Sequence, residues 1–200
     1  MDFTAVSEAL RARGFAVSCF ARADEAAAYL NAQIDRKTVG LGGSITIEQM
    51  GLYDSLAAHN DVFWHWRVPK GGSAAEEIAR AAAAQVYLCS VNGLSANGEI
   101  VNIDGNANRV SAALYGHERV FFLVGANKIA PDYDAALDRA RNVAAPRNAQ
   151  RLGLSTPCTQ TGHCHDCRHP QRICRALSVL WEVPRSADFE VVLVDEALGY

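Results

Sequence analysis

The 200-residue sequence predicts a single α/β domain, a mostly parallel sheet covered by helices on both faces and carrying an antiparallel excursion. Three observations predict it. Strand-like apolar runs alternate with helical patterns along most of the chain. One such run ends in Gly42-Gly43-Ser44 directly before a helical pattern, and the stretch from 92 to 115 breaks the alternation with turn pairs.

Phe3, Val6 and Leu10 stand at helical spacing, and Gly14 ends that helix before the β-rich run Phe15 to Phe20. Asp24 is the expected cap of a second helix carrying Ala27, Leu30 and Ile34. Thr38 to Leu41 then reads as a short buried strand, and a helical stretch follows over about Thr46 to Ala58. Val62 to Trp66 is strand-like, Ala74 to Ala84 an alanine-rich helix, and Val86 to Val91 a strand. Asn97-Gly98 and Asp104-Gly105 suit tight hairpin turns because both pairs tolerate positive φ. Val120 to Val124 is a strand, Asp132 to Ala145 a helix, Gly153 to His169 a loop, and Val191 to Val194 a last strand. Pro170 suits the first turn of a helix carrying Ile173, Leu177 and Leu180, so a cysteine-bearing loop and helix occupy 153–181.

The net charge of −3 is interspersed, with no basic run able to neutralise a phosphate backbone, which argues against nucleic acid as a partner. No apolar run approaches the roughly 18 residues of a membrane span. The acid-bearing N-terminus suits neither a secretory signal nor a transit peptide, so the expected location is the cytoplasm, where clustered thiols point to metal or redox chemistry.

A strand running into Gly42-Gly43-Ser44 and a helix near Thr46 leaves backbone N–H groups free at a helix start, where they attract an anion. Ser44 and Thr46 add hydroxyls, and Glu48 sits one turn in. A tight turn with Ser44 as N-cap accounts for the same residues. Asn97, Asn102, Asp104, Asn106, Asn108 and Arg109 crowd into thirteen residues, partly because Asn and Asp suit turns. Arg109 is a candidate clamp for a carboxylate or phosphate, and Asp104 a candidate general base or orienting group for that arginine. Asn127 and Lys128 follow the carboxyl end of a strand, where open α/β sheets place ligands. Arg139 and Asn142 share a polar face of the next helix, either for binding or for solvation. A small anionic metabolite is the expected partner.

Residues 157–174 read PCTQTGHCHDCRHPQRIC, which places Cys158, Cys164, Cys167 and Cys174 in a C-x5-C-x2-C-x6-C array among His163, His165 and His169. Four thiolates with a central C-x2-C suit a [4Fe–4S] cluster or zinc, and free or paired thiols remain a third reading. The predicted helix puts Cys174 in its first turn, where the dipole favours a thiolate. Cys19 and Cys89 lie in apolar strands and read as core residues.

The stretches GLGGSITIEQMGL, NGEIVNIDGNANRVSAALYGHERVFFLVGANKI, DRARNVAAPRNAQRL and PCTQTGHCHDCRHPQRIC together resemble the LUD, or lactate-utilisation domain, family, and most of all its compact members with a cysteine-bearing tail. The resemblance runs from about residue 35 to Tyr200. It implies a Rossmann-like fold similar to ribose-5-phosphate isomerase, glucosamine-6-phosphate deaminase and coenzyme A transferases, with a phosphate or acyl group held at Gly42, Gly43, Ser44 and Thr46 near Glu48. Other members of the family act with an iron–sulfur protein and a second LUD subunit to oxidise L-lactate to pyruvate. This chain departs from the larger subunit in lacking its ferredoxin-like cluster domain.

Three readings follow. The first is a redox-linked subunit or accessory of L-lactate (2-hydroxy acid) oxidation, with one [4Fe–4S] cluster and, as partners, other lactate-utilisation subunits or an electron carrier. The second is a stand-alone isomerase or acyl-transfer enzyme with structural zinc, in which Glu48 or Asp104 moves protons while Arg109 and Lys128 assist. The third is a metabolite-binding redox sensor.

Overall fold

The computed structural model describes residues 1–200 and shows a Rossmann-like α/β fold. Helix α1 (Thr4–Ala12) leads into strand β1 (Ala16–Phe20), α2 (Ala23–Gln33) and β2 (Thr38–Leu41). Two short helices, α3 (Ile45–Gln49) and α4 (Leu52–Ala57), precede β3 (Asp61–Phe63), α5 (Ala74–Ala82) and β4 (Val86–Ser90). The excursion comprises β5 (Gly93–Ser95), β6 (Ile100–Asp104) and α6 (Asn108–Ala112). The chain then forms β7 (Arg119–Gly125), a 3-10 turn at Ala126–Lys128, β8 (Ile129–Ala130) and α7 (Tyr133–Arg139). A π-helical turn, Ala140–Ala144, joins α7 to α8 (Ala145–Arg151). The last elements are α9 (Pro157–Thr161), β9 (Ala176–Leu180) and β10 (Asp188–Val194).

Six strands form a parallel sheet in the order β1-β10-β7-β4-β2-β3. Its central strands are continuous apolar runs because both faces are covered. Along β7, Val120, Phe122 and Val124 enter the core under α1, while Phe121 and Leu123 enter the core with Leu30, Ile34 and Leu56. Gly40 in β2 lets α5 lie against the sheet, since a Cβ there would stand 2.3 Å from the Ala81 carbonyl oxygen. A second sheet, β8-β5-β6-β9, carries the predicted antiparallel pairing of β5 with β6.

Several expectations change. The helix expected over 46–58 breaks at Gly51, which takes φ +63°. Asp24 lies inside α2 and binds Arg22, the residue at the N-cap. The strand expected over 62–66 stops at Phe63, and Trp64 turns inward to donate its indole N–H to the Gly42 carbonyl at 3.2 Å. Asp104-Gly105 makes no hairpin; Asp104 Oδ1 accepts the N–H groups of Asn106 and Ala107, turning the chain into α6. The helix from Asp132 runs on to Arg151 and accommodates Pro146, which lacks the N–H a regular helix needs, just after the π turn.

The helix after Pro170 does not form. Residues 176–180 pair as β9 along β6, with Leu177 half-exposed and Leu180 buried. Spacing of 173, 177 and 180 matches a helix, but the unpaired edge of β6 offers a ladder that outweighs this periodicity. Cys174 therefore has no helix N-terminus beside it, and the loop before it contains the short α9. Cys89 is buried, as expected of a core residue, whereas Cys19 lies exposed on the edge strand β1.

Candidate functional site

The carboxyl ends of three adjacent parallel strands, β2, β4 and β7, open into a cavity of about 560 Å³. Gly43 and Ser44 line it from the end of β2, Ser90 from β4, and Lys128 from the turn after β7. Also lining it are Asn148 and Arg151 of α8 and, from the cysteine region, Pro170 to Ile173 and Arg175. Among the lining side chains Arg109, Lys128, Arg151, Arg172 and Arg175 face only one acid, Asp104. The glycine turn, the polar loop and part of the cysteine segment thus share one cavity with a strong positive bias.

The turn itself is shaped by contacts behind it. A Cβ at Gly42 would meet Tyr87 Oη at 2.9 Å and Arg109 Cγ at 3.0 Å, and one at Gly43 would meet His65 Nε2 at 3.1 Å. Ser44 Oγ accepts the Ile47 N–H at 3.3 Å as the N-cap of α3. Thr46 is fully buried, and its hydroxyl accepts from Lys128 Nζ while contacting Ser90 Oγ at 3.2 Å and the Leu198 carbonyl at 3.3 Å.

Lys128 is 4% exposed, and Nζ donates to Ser90 Oγ at 2.8 Å and Thr46 Oγ1 at 3.0 Å. Burial, reinforced by Arg139 and Arg109, brings its pKa down to about 7. His65 is likewise pushed below the usual imidazole range by burial, with Asp104 opposing.

Arg109 reaches the cavity wall but its donors are spent within the fold. Nη1 donates to the Ser90 carbonyl at 3.0 Å and Asn102 Oδ1 at 2.6 Å; Nη2 donates to Asn92 Oδ1 at 3.0 Å and the Ile103 carbonyl at 2.7 Å. Nε faces Asp104 Oδ2 at 3.5 Å. The guanidinium therefore stitches β4 to β6, and Asp104 is held by that arginine and by its own turn. Neither is placed as a free ligand clamp or a free general base.

Other expected residues divide. Asn106 lines the cavity with Asn108. Glu48 does not line it; its carboxylate lies 3.7 Å from Arg67. Asn97 does not line the cavity; its carbonyl accepts Arg13 Nε at 2.6 Å. Asn127 pins residues 198–199, accepting the Leu198 N–H at 3.0 Å. Arg139 donates to the carbonyls of Asn127 at 2.9 Å and Asn92 at 2.5 Å, which fixes α7 against the strand ends. Asn142 Oδ1 accepts the Cys164 N–H at 2.9 Å and so anchors the cysteine segment. His65, Trp66, Arg151, Arg172 and Arg175 were not anticipated as lining residues. Only Arg151 carried a local sign, standing at the end of a helix whose Pro146 marks an irregular turn.

The cysteine segment is held chiefly by arginines. Arg172 donates Nε to the Cys174 carbonyl at 2.7 Å and Nη1 to the Cys167 carbonyl at 2.6 Å, and it lines both the main cavity and a second one of about 270 Å³. Cys164 and Cys174 line that second cavity beside Arg141. Cys164 Sγ accepts the Asp166 N–H at 3.3 Å, and Cys158 Sγ lies 3.2 Å from Thr156 Oγ1. The donor set is right for a cluster or zinc, but no three cysteine, histidine or acidic side chains come together as a ligand set. The arrangement does not fit a preformed metal centre.

The LUD domain family model matches residues 4–194. The chain belongs to the LUD domain family. A crystal structure of a DUF162 family protein from Deinococcus radiodurans has a similar fold, with a TM-score of 0.54 at 15% identity over 97% of this chain and 99% of that one. No curated protein matches the chain. No helix of this LUD protein is long and apolar enough to cross a membrane.

Proposed function

We propose that this LUD protein is a component of lactate-type metabolism that binds a small carboxylate- or phosphate-bearing metabolite in the main cavity. The carrying observation is the excess of guanidinium groups there, four against the single side-chain carboxylate of Asp104, at the carboxyl ends of adjacent parallel strands. Arg151 and Arg172 line the same cavity as the Gly43-Ser44 turn, so an anion there has guanidinium donors as well as the turn to meet. Trp66, with the Arg151 guanidinium 4.8 Å over its ring, narrows one end.

A charge-requirement panel tests the reading. Calorimetric titration with L-lactate, pyruvate and inorganic phosphate, beside the uncharged lactamide, should show saturable binding of at least one anion, weakened by salt, and none of lactamide. Equal binding of lactamide, or no binding by any anion, contradicts it.

The redox-linked form of the reading, in which the chain serves 2-hydroxy-acid oxidation beside an electron carrier or other lactate-utilisation subunits, asks the four cysteines to gather around a [4Fe–4S] cluster. Support comes from the four thiols on one segment, two of them at a shared cavity. Iron, zinc and acid-labile sulfide measured on protein purified without oxygen decide it. About four irons and four sulfides per chain support the cluster, about one zinc makes the segment a structural staple, and neither metal contradicts both.

A further inference from the structure

We propose that Lys128 captures a carbonyl-bearing anion, a 2-oxo acid, as an imine in the main cavity. This rests on the anion-binding reading above and names the substrate class of that site.

The hydrogen-bond inventory around the amine carries the argument. Ser90 Oγ gives its hydrogen to the Leu123 carbonyl at 2.6 Å, so it accepts from Lys128 Nζ. Thr46 Oγ1, which has Ser90 Oγ and the Leu198 carbonyl as its own acceptors, accepts the second N–H. No third acceptor stands near Nζ, and no carboxylate pairs with it. An ammonium ion has only these two protein acceptors and no carboxylate to offset its charge; a neutral amine uses both hydrogens there and keeps its lone pair free toward the cavity. The remaining charged groups around it, Arg109 and Arg139, repel a proton as well, and burial acts in the same direction.

Position supplies the rest. Lys128 lines the same cavity as Arg151 and Arg172, so the amine and guanidinium groups suited to a carboxylate share one space of about 560 Å³. The tail passes close above: a Cβ at Gly199 would stand 3.1 Å from Nζ and 2.6 Å from Thr46 Oγ1, which keeps bulk water off the amine. The nitrogen lone pair attacks the carbonyl carbon, the carbonyl π pair passes to oxygen, and one of the two nitrogen protons moves to that oxygen; the second leaves with the hydroxyl in the next step. The carbinolamine then loses water as the C=N bond forms. No oxidant or reductant is consumed.

The chain contains only three lysines, Lys37, Lys70 and Lys128, which makes the test readable by mass. Glyoxylate and cyanoborohydride are added at pH 7, so that hydride fixes any imine as a carboxymethyl-lysine, and the adduct is mapped by peptide mass. Lys128 should be labelled at least about tenfold faster than Lys37, which is ion-paired with Glu118, and the exposed Lys70. Inorganic phosphate should slow that labelling by occupying the cavity, and acetaldehyde, which has no anionic group, should label Lys128 poorly. Labelling of Lys37 and Lys70 without Lys128 overturns the proposal. If phosphate or glyoxylate still quenches Trp66 fluorescence saturably in that case, the imine fails while the anion site stands; if neither quenches, the anion reading fails too.

Discussion

Lys128 Nζ stands 2.8 Å from Ser90 Oγ, a lysine answered by hydroxyls at a place where folded proteins normally supply a carboxylate. The consequence is a cost that depends on pH. In the native chain burial lowers this pKa to about 7, whereas in the unfolded chain it is ordinary, near 10.5. Between those values the unfolded state holds a proton the native state lacks, so stability rises with pH from about 7 upward. Cys89, pushed up to about 12 by burial, acts in the opposite direction above about pH 9, which leaves pH 7 to 9 as the clear window. Urea melts across that window should show the rise in the native sequence and a flatter profile in Lys128→Met. Equal slopes would mean the lysine is not buried as an unpaired amine.

On the acid side the sign is the same for a different group. His117 is 5% exposed, stacks on Tyr87, and gives its Nδ1–H to the Ala84 carbonyl at 2.6 Å, while Nε2 is buried without a partner. Burial lowers its pKa, as it does for His65, so the unfolded chain takes up protons first and stability falls as pH drops below about 6.5. His117→Gln should lessen the loss between pH 7 and 5. Melting curves that fall as steeply as those of the native chain would reject this assignment.

Arg109 is a structural stitch, and its loss should appear first in stability. Arg109→Met takes a donor from the Ser90 and Ile103 carbonyls, while Asn102 and Asn92 Oδ1 keep the N–H groups of Asn92 and Ile103; the cost is about 1–3 kcal/mol for each carbonyl left buried and unsatisfied, not additively. A drop in Tm of several degrees is expected whether or not an anion is present. A variant as stable as the native chain, but unable to bind anions, would return Arg109 to the role of ligand clamp.

Gly40→Ala tests the packing that sets the strand ends. Its methyl would arrive 2.3 Å from a backbone oxygen of α5, so the helix must move, at about 1–3 kcal/mol. Chemical denaturation reads the loss directly, and no change in midpoint would contradict the close approach.

The parallel sheet and the antiparallel excursion were legible because their signals are local. The buried run from Val120 to Val124, the alternation of strands with helices and the turn at Asn97-Gly98 each follow from a few neighbouring residues. Strand β9 was not, because its pairing with β6 is set by an edge more than seventy residues earlier in the chain, while Ile173, Leu177 and Leu180 carry helical spacing. Gly43, Ser44 and Lys128 were legible as strand-end residues. Arg172 and Arg175 were hidden inside a segment whose cysteines drew the chemical reading, and only the folding of that segment over the strand ends brings them to the cavity. Glu48 looked aimed at the turn by helical spacing, yet in so short a helix it reaches Arg67 instead.

Anion affinity measured by calorimetry in Arg151→Met and Glu48→Gln, side by side with the native chain, tests the central claim most directly. Arg151 lines the cavity and Glu48 does not. The account predicts a loss of about tenfold or more in the arginine variant, the worth of one charge-assisted hydrogen bond, and no loss in the glutamine variant. Unchanged affinity in Arg151→Met together with a loss in Glu48→Gln would place the anion outside this cavity and contradict the account.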